Sequence, residues 1–121
     1  MSDSKELYFL LKNENIDEFN IRIEGRRDYD LRNVNLRGRN LKKANLKYAD
    51  LRGAYLSHCN MKGLDLSRAQ MEGASMHMAR ISGAYFPKNI SANEIKNAVT
   101  LGTRLRTLGS DETHEGFQLV E

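Results

Sequence analysis

The sequence of 121 residues contains one cysteine, one proline and no tryptophan, and aromatic residues make up only 7% of it. A single cysteine, Cys59, excludes an internal disulfide, so the fold does not depend on an oxidising compartment. No apolar run approaches the roughly 20 residues that a membrane-spanning helix needs. The first residues lack the basic start and apolar stretch of a secretory signal. We therefore expect a cytoplasmic protein, or part of a particle assembled in the cytoplasm, with no membrane association.

Hydrophobic residues make up 40% of the chain and recur with a period of five. Every fifth position from residue 31 to residue 86 is a large apolar one, and we call these positions the centres. They are Leu31, Leu36, Leu41, Leu46, Leu51, Leu56, Met61, Leu66, Met71, Met76, Ile81 and Phe86. An α-helix repeats at about 3.6 residues and a flat strand at about 2, so neither explains the pattern. A fixed short period is typical of a solenoid, in which each coil stacks on the one before.

Small residues stand two positions before most centres, and seven of these twelve positions are alanine. Glycine falls two positions after five of the centres, where a turn with positive φ favours it. The resulting pattern, as in Ala49-Asp50-Leu51-Arg52-Gly53, resembles the pentapeptide-repeat family. The resemblance implies an all-β solenoid, a right-handed quadrilateral β-helix with four pentapeptides per coil. The repeat in this chain would make about three coils, with short helical caps at both ends.

The pattern divides the chain into four segments. They are a helical N-terminal cap, the β-helix, a C-terminal capping helix with a closing segment, and a flexible tail, at residues 1–28, 29–88, 89–106 and 107–121. Caps are expected because exposed solenoid ends would aggregate. Apolar residues at helical spacing indicate the first cap. A capping box of Ser91 and Glu94, followed by Gly102, indicates the helix of the second.

The formal net charge of +3 is divided unevenly along the chain. Residues 29–88 carry 11 Lys/Arg against 4 Asp/Glu, whereas residues 1–28 carry 5 against 7 and residues 89–121 carry 3 against 5. Six of the cations form a basic collar in the first coil, where Asp30 is the one acid. Such a collar would bind an acidic protein or phosphates. The alternative is that these cations only keep the protein soluble. Arg39 stands where a small residue belongs, so it either reaches toward solvent or the cap, or marks an anion site.

The candidate partner-binding residues are of two kinds. The basic ones belong to the first coil, and the others form a face of low charge on which exposed Tyr, His and Met favour a protein interface. They are Arg37, Arg39, Lys42, Lys43, Lys47, Tyr55, His58, His77 and Met78. The alternative is that the residues of the second kind are scattered surface residues, which need no explanation.

The sequence contains no recognisable catalytic constellation. It has no nucleophile-elbow motif and no glycine loop for phosphates, and a narrow packed rod has no pocket for a substrate. Cys59 is expected to point inward and His58 outward, so with His77 they do not supply the converging ligands of a zinc site. We expect neither an enzyme nor a protein with a cofactor or a metal.

These observations predict a non-catalytic protein-binding or structural module: a scaffold, an adaptor or a subunit of a larger particle. Its partner would be a protein with an acidic surface, and a homo-oligomer is an alternative. The resemblance implies a second function, because members of the family bind type II topoisomerases such as gyrase by mimicking DNA. The positive charge of the repeat argues against that function. A third alternative is nucleic-acid binding through the first coil, although no row of aromatic residues interleaves with the cations.

Overall fold

The structure, a computed structural model, describes residues 3–108 and the backbone of residues 117–118. Within these residues it contains three α-helices and four short strands. The helices are α1 (Asp3–Lys12), α2 (Ile16–Ile23) and α3 (Ala92–Thr100), and the strands are β1 (Tyr29–Asp30), β2 (Ala49–Asp50), β3 (Tyr85–Phe86) and β4 (Phe117–Gln118). None of the helices in this part of the chain has the length and apolar character needed to cross a bilayer.

The repeat pairs with itself in parallel at a spacing of twenty residues. β1 pairs with β2 in this way, and six isolated bridges have the same spacing. Because twenty residues are four pentapeptides, the partners fall into four ladders. The first ladder contains residues 30, 50 and 70, the second 35, 55 and 75, the third 40, 60 and 80, and the fourth 65 and 85.

Tight turns take up most of each pentapeptide. The N–H of the residue three positions after a centre donates to the carbonyl of that centre, as Ala54 does to Leu51 at 3.0 Å. Gly53 lies inside this turn with a φ of +70°. The extended stretches between successive turns are therefore short, and the regular strands of the repeat are only two residues long.

The centres form the core of the molecule, as predicted. Eleven of the twelve are at most 1% exposed, and Ile81 is half-buried. From Ala44 onward the residues two positions before the centres are buried as well, whereas Val34 and Arg39 are half-buried. No charged residue is buried in the described part of the chain, so Arg39 reaches the surface from the first coil.

The helices α1 and α2 lie over the open edge of the first coil. The Asn20 side chain accepts the N–H of Asn45 at 2.7 Å and donates to the carbonyl of Lys43 at 3.0 Å. The carboxylate of Glu14 accepts the N–H of Asn40 at 2.9 Å. Four helix residues join the core, and these are Leu7, Leu11, Phe19 and Ile23. The edge of the repeat is thus covered by apolar side chains and supplied with polar partners.

The chain after α3 takes the place of a further coil at the other end. The N–H of Leu105 donates to the carbonyl of Ala74 at 2.9 Å, and the N–H of Gly73 donates to the carbonyl of Leu105 at 2.8 Å. The N–H of Met78 donates to the carbonyl of Val99 at 3.0 Å. We call residues 101–107 the closing segment, because their hydrogen bonds reach Glu72, Gly73 and Ala74 at the last edge of the repeat.

The tail expected to be flexible begins at residue 107. Its first residues are hydrogen-bonded, since the N–H of Leu108 donates to the carbonyl of Asn89 at 2.7 Å. Further on, β4 pairs antiparallel with β3. Backbone groups of residues 108 and 117–118 thus have partners elsewhere in the chain, and the flexible tail stays a prediction. The rest of the tail, residues 109–116 and 119–121, lies outside the described residues.

Candidate protein-binding surface

Five of the nine candidate residues gather beside the second ladder. Tyr55 belongs to that ladder, and the guanidinium carbon of Arg37 lies 4.8 Å from the centroid of its ring. The imidazole rings of His58 and His77 have centroids 6.4 Å apart. Met78 follows His77 and is 57% exposed. We call these five residues the Tyr55 face.

Two residues of the Tyr55 face have an unusual backbone conformation. His58 and Met78 have φ angles of +61° and +63°, at the turn position where Gly38 stands in the first coil. A residue with a Cβ adopts this conformation at a cost of roughly 1–2 kcal/mol. Strained backbone conformations of this kind are common at functional positions. In this turn both strained residues have exposed side chains.

The closing segment borders the Tyr55 face, and the sequence did not indicate this contact. The guanidinium carbon of Arg104 lies 5.0 Å from the centroid of the Tyr55 ring, so that ring has a cationic contact from Arg104 as well as from Arg37. Leu101 is 70% exposed, and the chain then passes Gly102, where an added Cβ would be 3.2 Å from Cγ of His77. The surface therefore includes an arginine and a leucine that stand far from the repeat in the sequence.

The cations of the first coil lie on the neighbouring side of the repeat. Arg39, Lys42 and Lys43 flank the third ladder, and together with Arg37 we call them the basic segment. None of the four lies within 4.0 Å of a carboxylate oxygen in the described residues. Lys42 and Lys43 also line a cavity of about 150 Å³ under α2, together with the carboxylates of Glu14 and Asp17. The basic segment thus forms no ion pair among the described residues, although two acids stand at the edge of its cavity.

Lys47 does not join the basic segment. Its Nζ is 3.8 Å from Oδ2 of Asp65 and 5.7 Å from the centroid of the Tyr48 ring, and Asp65 belongs to the fourth ladder. The basic collar is therefore divided between the sides of the repeat, because successive pentapeptides turn onto different ladders. A single partner surface would meet the basic segment without meeting Lys47.

Cations on the first ladder are neutralised within the chain. Nε of Arg32 is 3.0 Å from Oδ1 of Asp30, and Nη2 of Arg52 is 2.7 Å from Oδ2 of Asp50. The hydrogen bond from Arg52 holds the pKa of the Asp50 carboxyl below its usual value. This side of the repeat presents alternating charges, which offers little net attraction to an acidic partner.

The three residues considered for a metal site do not converge. Cys59 lies in the core and its Sγ donates to the carbonyl of Leu36 at 2.8 Å, whereas His58 and His77 are exposed. Burial raises the pKa of the Cys59 thiol to about 11, so it is a poor metal ligand at neutral pH. Across the described residues, no group of three or more His, Cys, Asp or Glu side chains is placed to hold a metal ion.

Residues 30–54 and 49–86 match the family model for pentapeptide repeats, in 8 copies. The chain therefore contains pentapeptide repeats, as its sequence pattern indicated. The family implies a β-helix-like fold and suggests a structural or protein-interaction module. No curated protein and no solved structure matches the chain.

Proposed function

We propose that this chain is a non-catalytic protein-interaction module that binds an acidic protein surface through the Tyr55 face and the basic segment. The fold that would present these surfaces is a right-handed quadrilateral β-helix of about three coils with helical caps. Four ladders with twenty-residue spacing support a four-sided coil, and the right hand is that of the family resemblance.

The proposal depends on one observation, that the cations of the basic segment form no ion pair within the described residues. Some arginines elsewhere in the described chain do have carboxylate partners, such as Arg22 with Glu6 at 2.7 Å and Arg106 with Glu94 at 2.7 Å. The four cations of the basic segment have none within 4.0 Å in the same part of the chain. Free cations on a rigid surface steer an acidic partner into contact.

The Tyr55 face supplies contact area beside this charge. Tyr55, Met78 and Leu101 offer aromatic and apolar surface, and Arg37 belongs both to this face and to the basic segment. Tyrosine, methionine and arginine are enriched at protein interfaces. A DNA mimic would present carboxylates instead, and the balance of 11 Lys/Arg against 4 Asp/Glu over residues 29–88 has the opposite sign.

The test is charge reversal in the full chain, with Arg37→Glu, Lys42→Glu and Lys43→Glu combined. Partners are captured from the native host by wild type and variant, identified by mass spectrometry, and the leading partner is purified for measurement of its Kd. We expect an acidic partner whose affinity falls by about tenfold or more in the variant, and falls with added salt in the wild type.

A matched control carries the same change of charge elsewhere, with Arg68→Glu, Lys88→Glu and Lys96→Glu. Its Kd for the partner should stay within about twofold of wild type, because these residues lie away from the basic segment. Equal loss in both variants would show attraction without a defined site and would contradict the proposal. If nuclease treatment of the host extract abolishes capture of the partner, the chain binds nucleic acid, and the proposal of a protein partner is contradicted.

A further inference from the structure

The strand β3 has two edges, and only one of them faces the repeat. On that side the N–H of Tyr85 donates to the carbonyl of Leu64 at 2.8 Å, and the N–H of Leu66 donates to the carbonyl of Tyr85 at 2.8 Å. The opposite edge pairs with β4. The hydrogen bonds of the closing segment reach residues 72–74, between the last members of the first and second ladders, whereas β4 pairs with the last strand of the fourth ladder.

Two exposed cations stand beside β3. Arg68 and Lys88 are twenty residues apart in the sequence and together line an open groove of about 350 Å³, in which Leu108 also takes part. A second groove of about 380 Å³ adds Lys47 to the same two cations. Neither Arg68 nor Lys88 lies within 4.0 Å of a carboxylate oxygen in the residues that the structure describes.

The segment that supplies β4 has the complementary charge. Residues 109–121 contain four carboxylate side chains and no lysine or arginine. The carboxylates belong to Asp111, Glu112, Glu115 and Glu121. An acidic segment is thus tied by backbone pairing to a strand edge that is flanked by free cations.

We propose that the outer edge of β3, with Arg68 and Lys88, is a docking site for an extended acidic peptide segment. The C-terminal segment of the chain is the intramolecular occupant of this site, and a partner peptide binds by displacing it. Strand addition provides backbone hydrogen bonds, and the cations select an acidic sequence. The site is separate from the Tyr55 face and the basic segment, so either proposal can fail without the other.

The register of the pairing makes the proposal specific. Tyr85 lies opposite Gln118 and Phe86 opposite Phe117. In a free peptide of the tail sequence that binds in this register, the residues before the phenylalanine run past the end of β3 at Phe86, on the side where Lys88 lies in a turn. One of these residues, two positions before the phenylalanine, is a glutamate that corresponds to Glu115.

The experiment uses the full chain in which Phe117→Pro and Gln118→Pro release β4 from β3, because proline has no N–H to donate to a ladder. We call this variant the released chain. The probe is a fluorescein-labelled synthetic peptide with the sequence of residues 109–121, and binding is followed by fluorescence anisotropy. The released chain should bind the peptide about tenfold or more tightly than the wild type, in which the tethered segment competes at a high effective concentration. Equal affinities for the two chains would overturn the proposal.

Charge reversal then tests the cations. Arg68→Glu with Lys88→Glu in the released chain should weaken peptide binding by about tenfold or more, whereas Lys62→Glu with Lys96→Glu, at two lysines outside both proposed sites, should leave it within about twofold. A peptide carrying Glu115→Lys should lose affinity for the released chain and regain it when the chain carries Lys88→Glu. Failure of this exchange, or an equal effect of the Lys62 and Lys96 control, would overturn the site.

Sedimentation velocity of the released chain separates a peptide from a second copy as the occupant. The proposal expects a monomer that binds the peptide. A dimer that forms on release and excludes the peptide would overturn the proposal, because the edge would then pair with another copy of the chain.

Discussion

Tyr29 and Cys59 are the titratable residues of the core within the described part of the chain. The Tyr29 hydroxyl donates to the carbonyl of Asn45, and the Cys59 thiol donates to the carbonyl of Leu36. Burial raises the pKa of Tyr29 to about 12 and the pKa of Cys59 to about 11. At the scale of single residues, the stacked core keeps both groups neutral because it offers no solvation to their ionised forms.

These raised pKa values predict that the protein loses stability in base. The ordinary pKa values are 9.0 for cysteine and 10.0 for tyrosine, so above pH 9 the unfolded chain releases protons that the folded chain retains. The stabilising contribution is complete below about pH 9, and the free energy of unfolding should fall as the pH rises from there toward 12. Urea denaturation at a series of pH values, followed by circular dichroism, measures this. A Tyr29→Phe variant should lose the tyrosine part of the dependence, and a flat profile for the wild type would contradict the prediction.

At the scale of elements, α3 shows how local sequence signals set the bounds of a helix. Ser91 is its N-cap, and the Ser91 Oγ accepts the N–H of Glu94 at 3.1 Å, as the capping box predicts. Gly102 follows the helix with a φ of +79°. Hydrogen bonds from Arg106 then bind the Glu94 carboxylate and hold its pKa below the usual value. The first turn of α3 is thereby tied to the closing segment.

Replacement of the N-cap should weaken both α3 and the segment that it positions. Ser91→Ala removes the acceptor for the Glu94 N–H, and we expect the free energy of unfolding to fall by about 1 kcal/mol. Chemical denaturation measures the loss. Ser91→Thr retains a hydroxyl acceptor and should cost much less, so an equal loss in the two variants would show that the cap is not the cause.

At the scale of the whole molecule, the buried residues form one continuous cluster from α1 to the closing segment. Backbone pairing at a spacing of twenty residues joins a pentapeptide in the middle of the repeat to one before it and one after it. The centre Leu56 is fully buried there, whereas the centre Ile81 is half-buried. The contribution of a centre to stability should therefore depend on how deeply it is buried.

This dependence can be measured with two truncations of similar size. Leu56→Ala should lower the free energy of unfolding by about 3 kcal/mol, because it removes fully buried atoms and leaves a cavity in a packed column. Ile81→Ala should cost less, about 1 kcal/mol, since part of that side chain already contacts water. Chemical denaturation of both variants gives the comparison. Equal losses of unfolding free energy in the two variants would mean that the burial of a centre does not determine its contribution to stability.

The sequence predicted those parts of the fold that depend on residues close together in the chain. The period of five identified the core residues, and among the centres only Ile81, which is half-buried, departs from it. The candidate surface was predictable only in part. The period brings Tyr55 and Met78 to one side of the repeat, but the contact of Arg104 with Tyr55 depends on how the closing segment returns.

The sequence by itself determined the repeat, its inward column of apolar side chains and the start of α3, because these depend on residues within one or two turns of each other. The tertiary structure decided which charges have partners. The period puts Lys47 on another side than Lys42 and Lys43, but only the folded chain brings its Nζ to 3.8 Å from Asp65 and leaves the other two without a carboxylate within 4.0 Å among the described residues. The tertiary structure also decided that β4 returns to β3. Both outcomes arise from hydrogen bonds and charge contacts between residues far apart in the chain, whose geometry exists only once the coils have stacked.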